Sequence, residues 1–249
     1  MSPPIVLITG GSRGIGAATA WLAAQRGFAV AINYARQADA ARQLVQRIEA
    51  AGGRAMAVQA DVGEEAQVLR MFAEVDAKLG RLSVLVNNAG IVDMKARLDE
   101  MSVERLERMM RINVVGAFVC AREAVRRMST RHGGSGGVIV NLSSAAARIG
   151  SPDQYIDYAA SKGAIDTLTV GLAKEVAEEG IRVNGVRPGL IDTEIHASGG
   201  DPDRAFQLAH TVPMKRTGTA QEIANAIVWL MSDEASYVTG TTIDVTGGR

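Results

Sequence analysis

Tyr158 and Lys162 stand four residues apart in the stretch YAASK. The pattern around them, 154 to 179, is helical, so the two side chains share one face about a turn apart. A phenol with a pKa near ~10 transfers protons poorly at neutral pH, and a neighbouring ammonium favours the phenolate. Bringing the phenol to near neutrality takes roughly 4 kcal/mol of differential interaction, within reach of a close charge in a partly desolvated site. The same spacing also fits a surface tyrosine lying over a lysine stem. Tyr155, three residues upstream, has Ala159 rather than a cation four residues on, and is a candidate for a pocket wall only.

A second stretch with chemical content is LITGGSRGIG, residues 7 to 16. Gly10, Gly11, Gly14 and Gly16 are crowded between an apolar run and a helical pattern, although glycine loses more backbone entropy on folding than any other residue. In the first strand-to-helix turn of a parallel sheet, glycines permit a sharp turn and bring backbone amides against a pyrophosphate at a helix N-terminus. A tight turn with no ligand would use glycine in the same way, so the motif needs its context.

The elements supply that context. Short β-branched runs at 5–9, 28–33, 55–60, 83–88, 137–142 and 181–186, and a last one at 241–245, alternate with helical patterns at 14–27, 38–51, 64–79, 102–131, 154–179 and 220–232. Strands alternating with helices imply βαβ units, and runs apolar throughout imply a sheet covered on both faces. The expected fold is α/β: a Rossmann-like, doubly wound parallel sheet with helices on both faces, one domain over 1–249. The last helix opens on Thr219 and Glu222, a capping box. HGGSGG, 132 to 137, reads as a flexible connection into the fifth strand.

The second strand bears on the choice of cofactor. Dinucleotide sites for NAD place an acid at its end to bind the ribose 2′-hydroxyl, whereas NADP sites use a nearby arginine for the 2′-phosphate. Here the chain reads AINYAR: Tyr34 stands where the acid is expected, Arg36 follows, and no carboxylate comes before Asp39. Arg13, just before Gly14, is a second candidate for the phosphate, since a guanidinium suits it by its forked donors. NADP(H) is the expected cofactor.

Composition excludes other classes. Lys plus Arg and Asp plus Glu both number 27, which leaves no global field toward nucleic acid or an anionic membrane. The lone cysteine, Cys120, lies in an apolar stretch, precludes an intrachain disulfide and suits a reducing compartment. With neither a signal-peptide pattern nor the 18 or more apolar residues of a membrane span, a cytoplasmic protein is expected. His132, His196 and His210 lack metal-ligand spacing, so no metal is expected; His196 is at most a substrate contact. Trp21 and Trp229 fall on helical patterns as core or interface residues.

Four ordered stretches, TGGSRGIG, NNAG (87–90), YAASK (158–162) and RPGLIDT (187–193), resemble the motifs of the classical short-chain dehydrogenase/reductase family, and the likeness runs through the closing VTGTTIDVTGG. It implies a nicotinamide-dependent enzyme interconverting a carbonyl and a secondary alcohol, such as a 3-oxoacyl-carrier-protein reductase or a glucose dehydrogenase. The different class of reading is a catalytically silent nucleotide-binding protein. By this resemblance Tyr158 donates the proton, Lys162 tunes it and binds the nicotinamide ribose, and Asn113 holds a water for proton relay. Ser144 polarises the substrate oxygen; it precedes Tyr158 by fourteen residues where the family has thirteen, and Ser143 is its rival. The cofactor site implied is Gly10, Ser12, Arg13, Gly14, Ile15 and Gly16 in the first turn, Tyr34 and Arg36 after the second strand, Asp61 and Val62 at the adenine, Asn88, Ala89 and Gly90, then Pro188, Gly189, Ile191 and Thr193 at the nicotinamide. Residues 194–216 read as a substrate lid. The long helices 102–131 and 154–179 imply a homotetramer, and Arg122, Arg126, Arg127 and Arg131 could dock an acidic carrier protein or merely complement a helix C-terminus.

Overall fold

The architecture is that of a computed structural model describing residues 3–249, the side chain of His196 excepted, so the expectation placed on His196 lies outside the described residues. Seven strands form one parallel sheet: β1 (Ile5–Ile8), β2 (Ala29–Tyr34), β3 (Arg54–Gln59), β4 (Val84–Asn87), β5 (Gly137–Leu142), β6 (Ile181–Pro188) and β9 (Thr242–Val245), in the order β3-β2-β1-β4-β5-β6-β9. Connections run outward on both sides of β1 and β4, which makes their carboxyl ends the switch point where such sheets bind ligands. The strand positions read from the sequence hold within two residues.

Alternate side chains of these apolar strands feed two cores, one on each sheet face. Val6, Ile8, Val30 and Val86 pack under α1 (Gly14–Gln25), α2 (Ala38–Ala50) and α10 (Ala220–Met231). Leu7, Ala31, Leu85 and Ile139 pack under α3 (Glu65–Lys78), α5 (Gly116–Met128) and α7 (Ile156–Val176). Cys120 is buried in the second core as a small apolar group, its thiol pushed up to about 12 by burial. Trp21 packs at the edge of the first core under the Arg47 guanidinium, 3.9 Å from the ring centroid. The Thr219–Glu222 box caps α10 as its sequence implied. Among the described residues no helix is long and apolar enough to cross a membrane.

Two sequence expectations change. The 102–131 pattern is not one regular helix: α4 (Val103–Met110) passes into a π turn, Arg111–Val115, before α5 begins. Such widened turns are frequent at functional sites. Here the turn carries Asn113, whose side chain is bonded to the loop after β4, a tertiary tie that helical periodicity does not encode. HGGSGG is not a flexible connection either. A Cβ on Gly134 would lie 2.1 Å from the Met128 carbonyl oxygen, and one on Gly136 would lie 2.4 Å from that of Gly180. The amides of both glycines bond back to the end of α5, so these glycines permit close backbone packing.

Gly16 makes the closest approach in the first turn. A Cβ there would stand 2.5 Å from the Gly10 carbonyl oxygen and 2.7 Å from Asn88 Nδ2. Gly16→Ala is therefore expected to lower unfolding stability by about 2–4 kcal/mol, read from the urea midpoint, because the neighbour is backbone and cannot yield as a flexible side chain would. An unchanged midpoint would mean that the turn relaxes freely.

Candidate active site

The glycine turn joins β1 to α1 with Gly10 and Gly14 at φ +61° and +53°, where side chains are strained. Asn88 holds the turn from below by donating to Thr9 O (2.9 Å) and Gly10 O (3.0 Å), and the Thr9 hydroxyl accepts from the amides of Asn88 and Ala89. No side chain caps the amino end of α1, and its first turn carries no acid. Its amides and dipole are thus available to an anion, and the cradle fits a dinucleotide pyrophosphate.

Ser12, Ile15 and Ala89 are half-buried beside this turn. Tyr34, half-buried, ends β2, and both Arg13 and Arg36 are exposed near that end without an ion pair among the described residues. Asp39 is paired with Arg42 and so does not take the place of the missing acid. Asp61 accepts the Gly63 amide at 2.9 Å and Val62 is buried, which fixes the turn after β3.

Tyr158 and Lys162 lie on α7, the lysine nitrogen 5.7 Å from the centroid of the phenol ring. Lys162 is buried and donates to Leu142 O at 2.7 Å. Burial pushes it down to about 8, against a smaller upward effect of Asp166. Burial pushes the Tyr158 phenol above its ordinary value and outweighs the lowering effect of the nearby Ser144 hydroxyl. The expected lowering of the phenol by Lys162 is not what this arrangement gives, because desolvation dominates at Tyr158.

The two serines separate by strand alternation. Ser143 is buried and donates to Lys162 O at 3.2 Å, tying β5 to α7. Ser144 lines the cleft with Tyr158, and its oxygen accepts the Ala146 amide at the start of α6 (Ala146–Ile149). The loop between α6 and Tyr158 has positive φ at Gly150, Ser151 and Asp153.

Asn113 is buried with its side chain fully engaged: Oδ1 accepts the Ile91 amide at 2.8 Å, and Nδ2 donates to Ile91 O (2.9 Å) and Ser161 Oγ (3.2 Å). By holding the Ile91 backbone it fixes the segment whose Gly90 and Val92 line the cleft. Pro188, Gly189, Ile191 and Thr193 line the same cleft as Ser144, Tyr158 and Lys162, and so do Asn88, Gly90 and Ile15. Tyr155 is a buried wall of it, as its spacing implied.

Several residues in the frame escaped sequence reasoning. Asn33, the one polar residue inside AVAINY, accepts the Gly10 amide at 3.1 Å and donates to Ala60 O at 3.0 Å, joining the turns after β1 and β3. Asn87, Asn141 and Thr169 form a buried chain of amide and hydroxyl bonds across β4, β5 and α7. Arg105 of α4 grips Asp157, next to Tyr158, at 2.8 and 3.2 Å. A polar residue inside an apolar strand was the available signal for Asn33 and Asn141, while Asn87 opens the NNAG stretch already singled out. The arginine cluster on α5 is already neutralised: Arg122 pairs with Glu65 and Glu123, Arg126 with Glu123, Arg127 with Asp76 and Glu123, and Arg131 approaches Glu179. His132 and His210 are exposed, and His210 Nδ1 lies 2.9 Å from Gln207 O.

Comparison with known proteins agrees with this geometry. Residues 10–249 match the family model described as enoyl-(acyl carrier protein) reductase. The chain is 56% identical over 245 residues to "Uncharacterized oxidoreductase YgfF" of Escherichia coli (strain K12), covering 98% of this chain and 99% of that one. It is 41% identical over 244 residues to 3beta-hydroxysteroid dehydrogenase 1 of Eggerthella lenta, covering 98% and 92%. A short-chain dehydrogenase of Burkholderia cenocepacia J2315, solved in complex with NADP, superposes with a TM-score of 0.90 at 34% identity, covering 99% of this chain and 98% of that one. With the glycine turn, the serine, tyrosine and lysine of one cleft, and likeness over nearly the whole length, the chain belongs to the short-chain dehydrogenase/reductase family of nicotinamide-dependent oxidoreductases.

Proposed function

We propose that the protein is an NADP(H)-preferring enzyme that interconverts a carbonyl and a secondary alcohol, with Tyr158 as its proton donor and acceptor. The observation that carries this reading is the convergence of Ser144, Tyr158 and Lys162 on the cleft that opens beside the glycine turn. When bound, the nicotinamide supplies or accepts the hydride. Tyr158, held above its ordinary value by burial, is protonated at neutral pH, the state in which it gives a proton to the carbonyl oxygen. Ser144 orients that oxygen toward the phenol. Lys162, at about 8, is mostly charged at pH 7 and favours the phenolate left behind. Asn113, by holding the Ile91 backbone, positions Gly90 and Val92 on either side of it, which line the cleft. The segment 194–216 covers the substrate side of the cleft as a lid.

Tyr158→Phe is expected to cut turnover by about 10²–10⁴-fold while leaving NADPH binding, followed by its fluorescence, nearly unchanged. Lys162→Ala should weaken both. In the direction of alcohol oxidation, where the phenolate is the competent form, Lys162→Met should move the rising limb of the pH–rate profile to higher pH. Near-normal turnover by Tyr158→Phe would refute the assignment.

The preference for NADP(H) rests on Tyr34 and on the two exposed arginines, Arg13 and Arg36, with no acid at the end of β2. Absence of that carboxylate removes the repulsion that would exclude a 2′-phosphate. Arg13→Ala and Arg36→Ala should each raise the KM for NADPH about tenfold and leave that for NADH little changed. Tyr34→Asp should move the preference toward NADH. Higher wild-type kcat/KM with NADH than with NADPH would reverse this reading.

A homotetramer is the assembly that fits. Val115 and Phe118, at the π turn and on α5, and Val170, on α7, are about half exposed, apolar positions on the long helices that such assemblies bury. The lone buried thiol suits a cytoplasmic setting. Sedimentation velocity at micromolar protein is expected to give a tetramer, and Phe118→Glu should shift it to smaller species; a wild-type monomer would exclude the assembly.

A further inference from the structure

The substrate side of the cleft carries two cations that the chemistry above does not use. Arg204, on the short helix α9 (Arg204–Gln207), and Arg249 both line the cavity that holds Ser144, Tyr158 and Lys162. Neither side chain makes an ion pair or donates a hydrogen bond among the described residues; the guanidinium of Arg204 lies over the Tyr155 ring, 5.3 Å from its centroid. Asp201, near Arg204 in the lid, is bonded to Lys95 at 2.5 Å. Arg249, exposed at the mouth of the cavity, has its pKa lowered by partial desolvation and by the charge of Arg204, so the two cations lie close enough to feel each other. This differs from Arg105, Arg127, Arg187 and Arg216, each of which is matched to a carboxylate.

Two guanidinium groups facing one partly desolvated cavity repel, and an anion held between them removes that repulsion while accepting their forked donors. Val92, Ile149, Leu190 and Ile195 give the cavity an apolar wall together with the Tyr155 ring. We propose that Arg204 and Arg249 form a subsite for an anionic group, a carboxylate or a phosphate, carried by the same molecule as the reacting carbonyl or alcohol on an apolar body. The proposal rests on the reading of this cleft as a carbonyl-reducing site and adds to it the substrate class. Because Arg204 belongs to the lid and Tyr155 donates to Gly199 O at 3.5 Å, such an anion would also hold the lid against the wall of the site.

The test uses matched ketones with NADPH and the full-length protein. One arm compares benzoylpropionate with its methyl ester; the other compares phenacyl phosphate with its uncharged alcohol. In at least one arm the charged ketone is expected to exceed its neutral counterpart in kcat/KM by about 10- to 100-fold, mostly through KM, and the arm that shows this identifies the anion. Arg204→Gln and Arg249→Gln should each erase most of that excess, with turnover of the neutral ketones, the thermal midpoint and the KM for NADPH unchanged. Arg204→Lys should retain part of it. Neutral ketones reduced as well as charged ones in both arms would overturn the subsite and leave the oxidoreductase reading intact. A rise in the KM for NADPH in the glutamine variants would instead give these arginines to the cofactor and also overturn it. Should wild-type protein reduce none of the four, the catalytic reading fails, and calorimetric binding of benzoylpropionate and phenacyl phosphate decides the subsite alone: binding lost in Arg204→Gln and Arg249→Gln upholds it, and binding equal in all three proteins, or absent from wild type, overturns it.

Discussion

The side-chain amide of Asn88 donates upward into the first turn, to the carbonyls of Thr9 and Gly10, while the Thr9 hydroxyl accepts two amides from the loop that carries Asn88. These four bonds cross from the end of β1 to the end of β4, the point from which the sheet winds in opposite directions. Parallel strands fan apart at their carboxyl ends, and unpaired backbone groups there would be costly if left dry. The brace satisfies them and sets the spacing of the crevice. It also explains the glycines: with Asn88 Nδ2 so close to the place of a Gly16 Cβ, α1 can approach only as bare backbone. Asn33 repeats the device on the other side, where its carboxamide joins the Gly10 amide to the Ala60 carbonyl.

From that fixed crevice the electrostatics of the catalytic face follow. Lys162 is buried with one backbone carbonyl as its hydrogen-bond acceptor, so the folded chain binds its proton less tightly than the unfolded chain does. Its pKa falls from an ordinary 10.5 to about 8; between those values the unfolded state carries more protons, and the contribution of this group to stability rises with pH across that window. At neutral pH the site therefore holds a destabilising charge. Ser143 and Leu142 fix the main chain and side chain of Lys162 to the end of β5, and Arg105 fixes Asp157 beside Tyr158, so the strain is met by neighbouring structure.

How far the site was legible follows from the range of each interaction. Tyr158 and Lys162 were visible because helical spacing is local, and the glycine turn because Gly10 and Gly14 need positive φ at fixed offsets from a strand. Strand positions were visible because both faces of the sheet are covered, which makes the runs apolar throughout. Arg105 and Asp157 are 52 positions apart, and no periodicity brings them together. The π turn at Asn113 comes from bonds to Ile91, 22 positions away, and was read as plain helix. HGGSGG has the composition of a flexible tether, yet Gly134, Gly136 and Gly137 are there for contacts with Met128 and Gly180 that composition does not reveal. The α5 arginines form a positive cluster in sequence, and the acids that neutralise them arrive from α3, from Glu123 and from Glu179.

The same distinction separates the residues proposed for the chemistry from the segment proposed as a lid. The residues of the glycine turn and of α7 are built on the sheet and its two cores. The segment 194–216 leaves the sheet and returns between two short strands, β7 (Ile191–Asp192) and β8 (Gly218–Thr219), which pair with each other through Ile191 with Gly218 and Asp192 with Thr219. Inside it, α8 (Ile195–Ser198) and α9 are each one turn long, too short to be stable by themselves. What holds them is a small cluster of Leu190, Ala205 and Val212, the Lys95–Asp201 pair and the contact of Tyr155 with Gly199. The β7–β8 ladder and the Thr219 cap, with Arg216 on Glu222, close the base of this segment. Its inner contacts can therefore change without disturbing the strands that carry Lys162 and the glycine turn. The segment proposed to choose the substrate thus lies where the fold has few contacts to lose, and the residues proposed for hydride and proton chemistry where it has many.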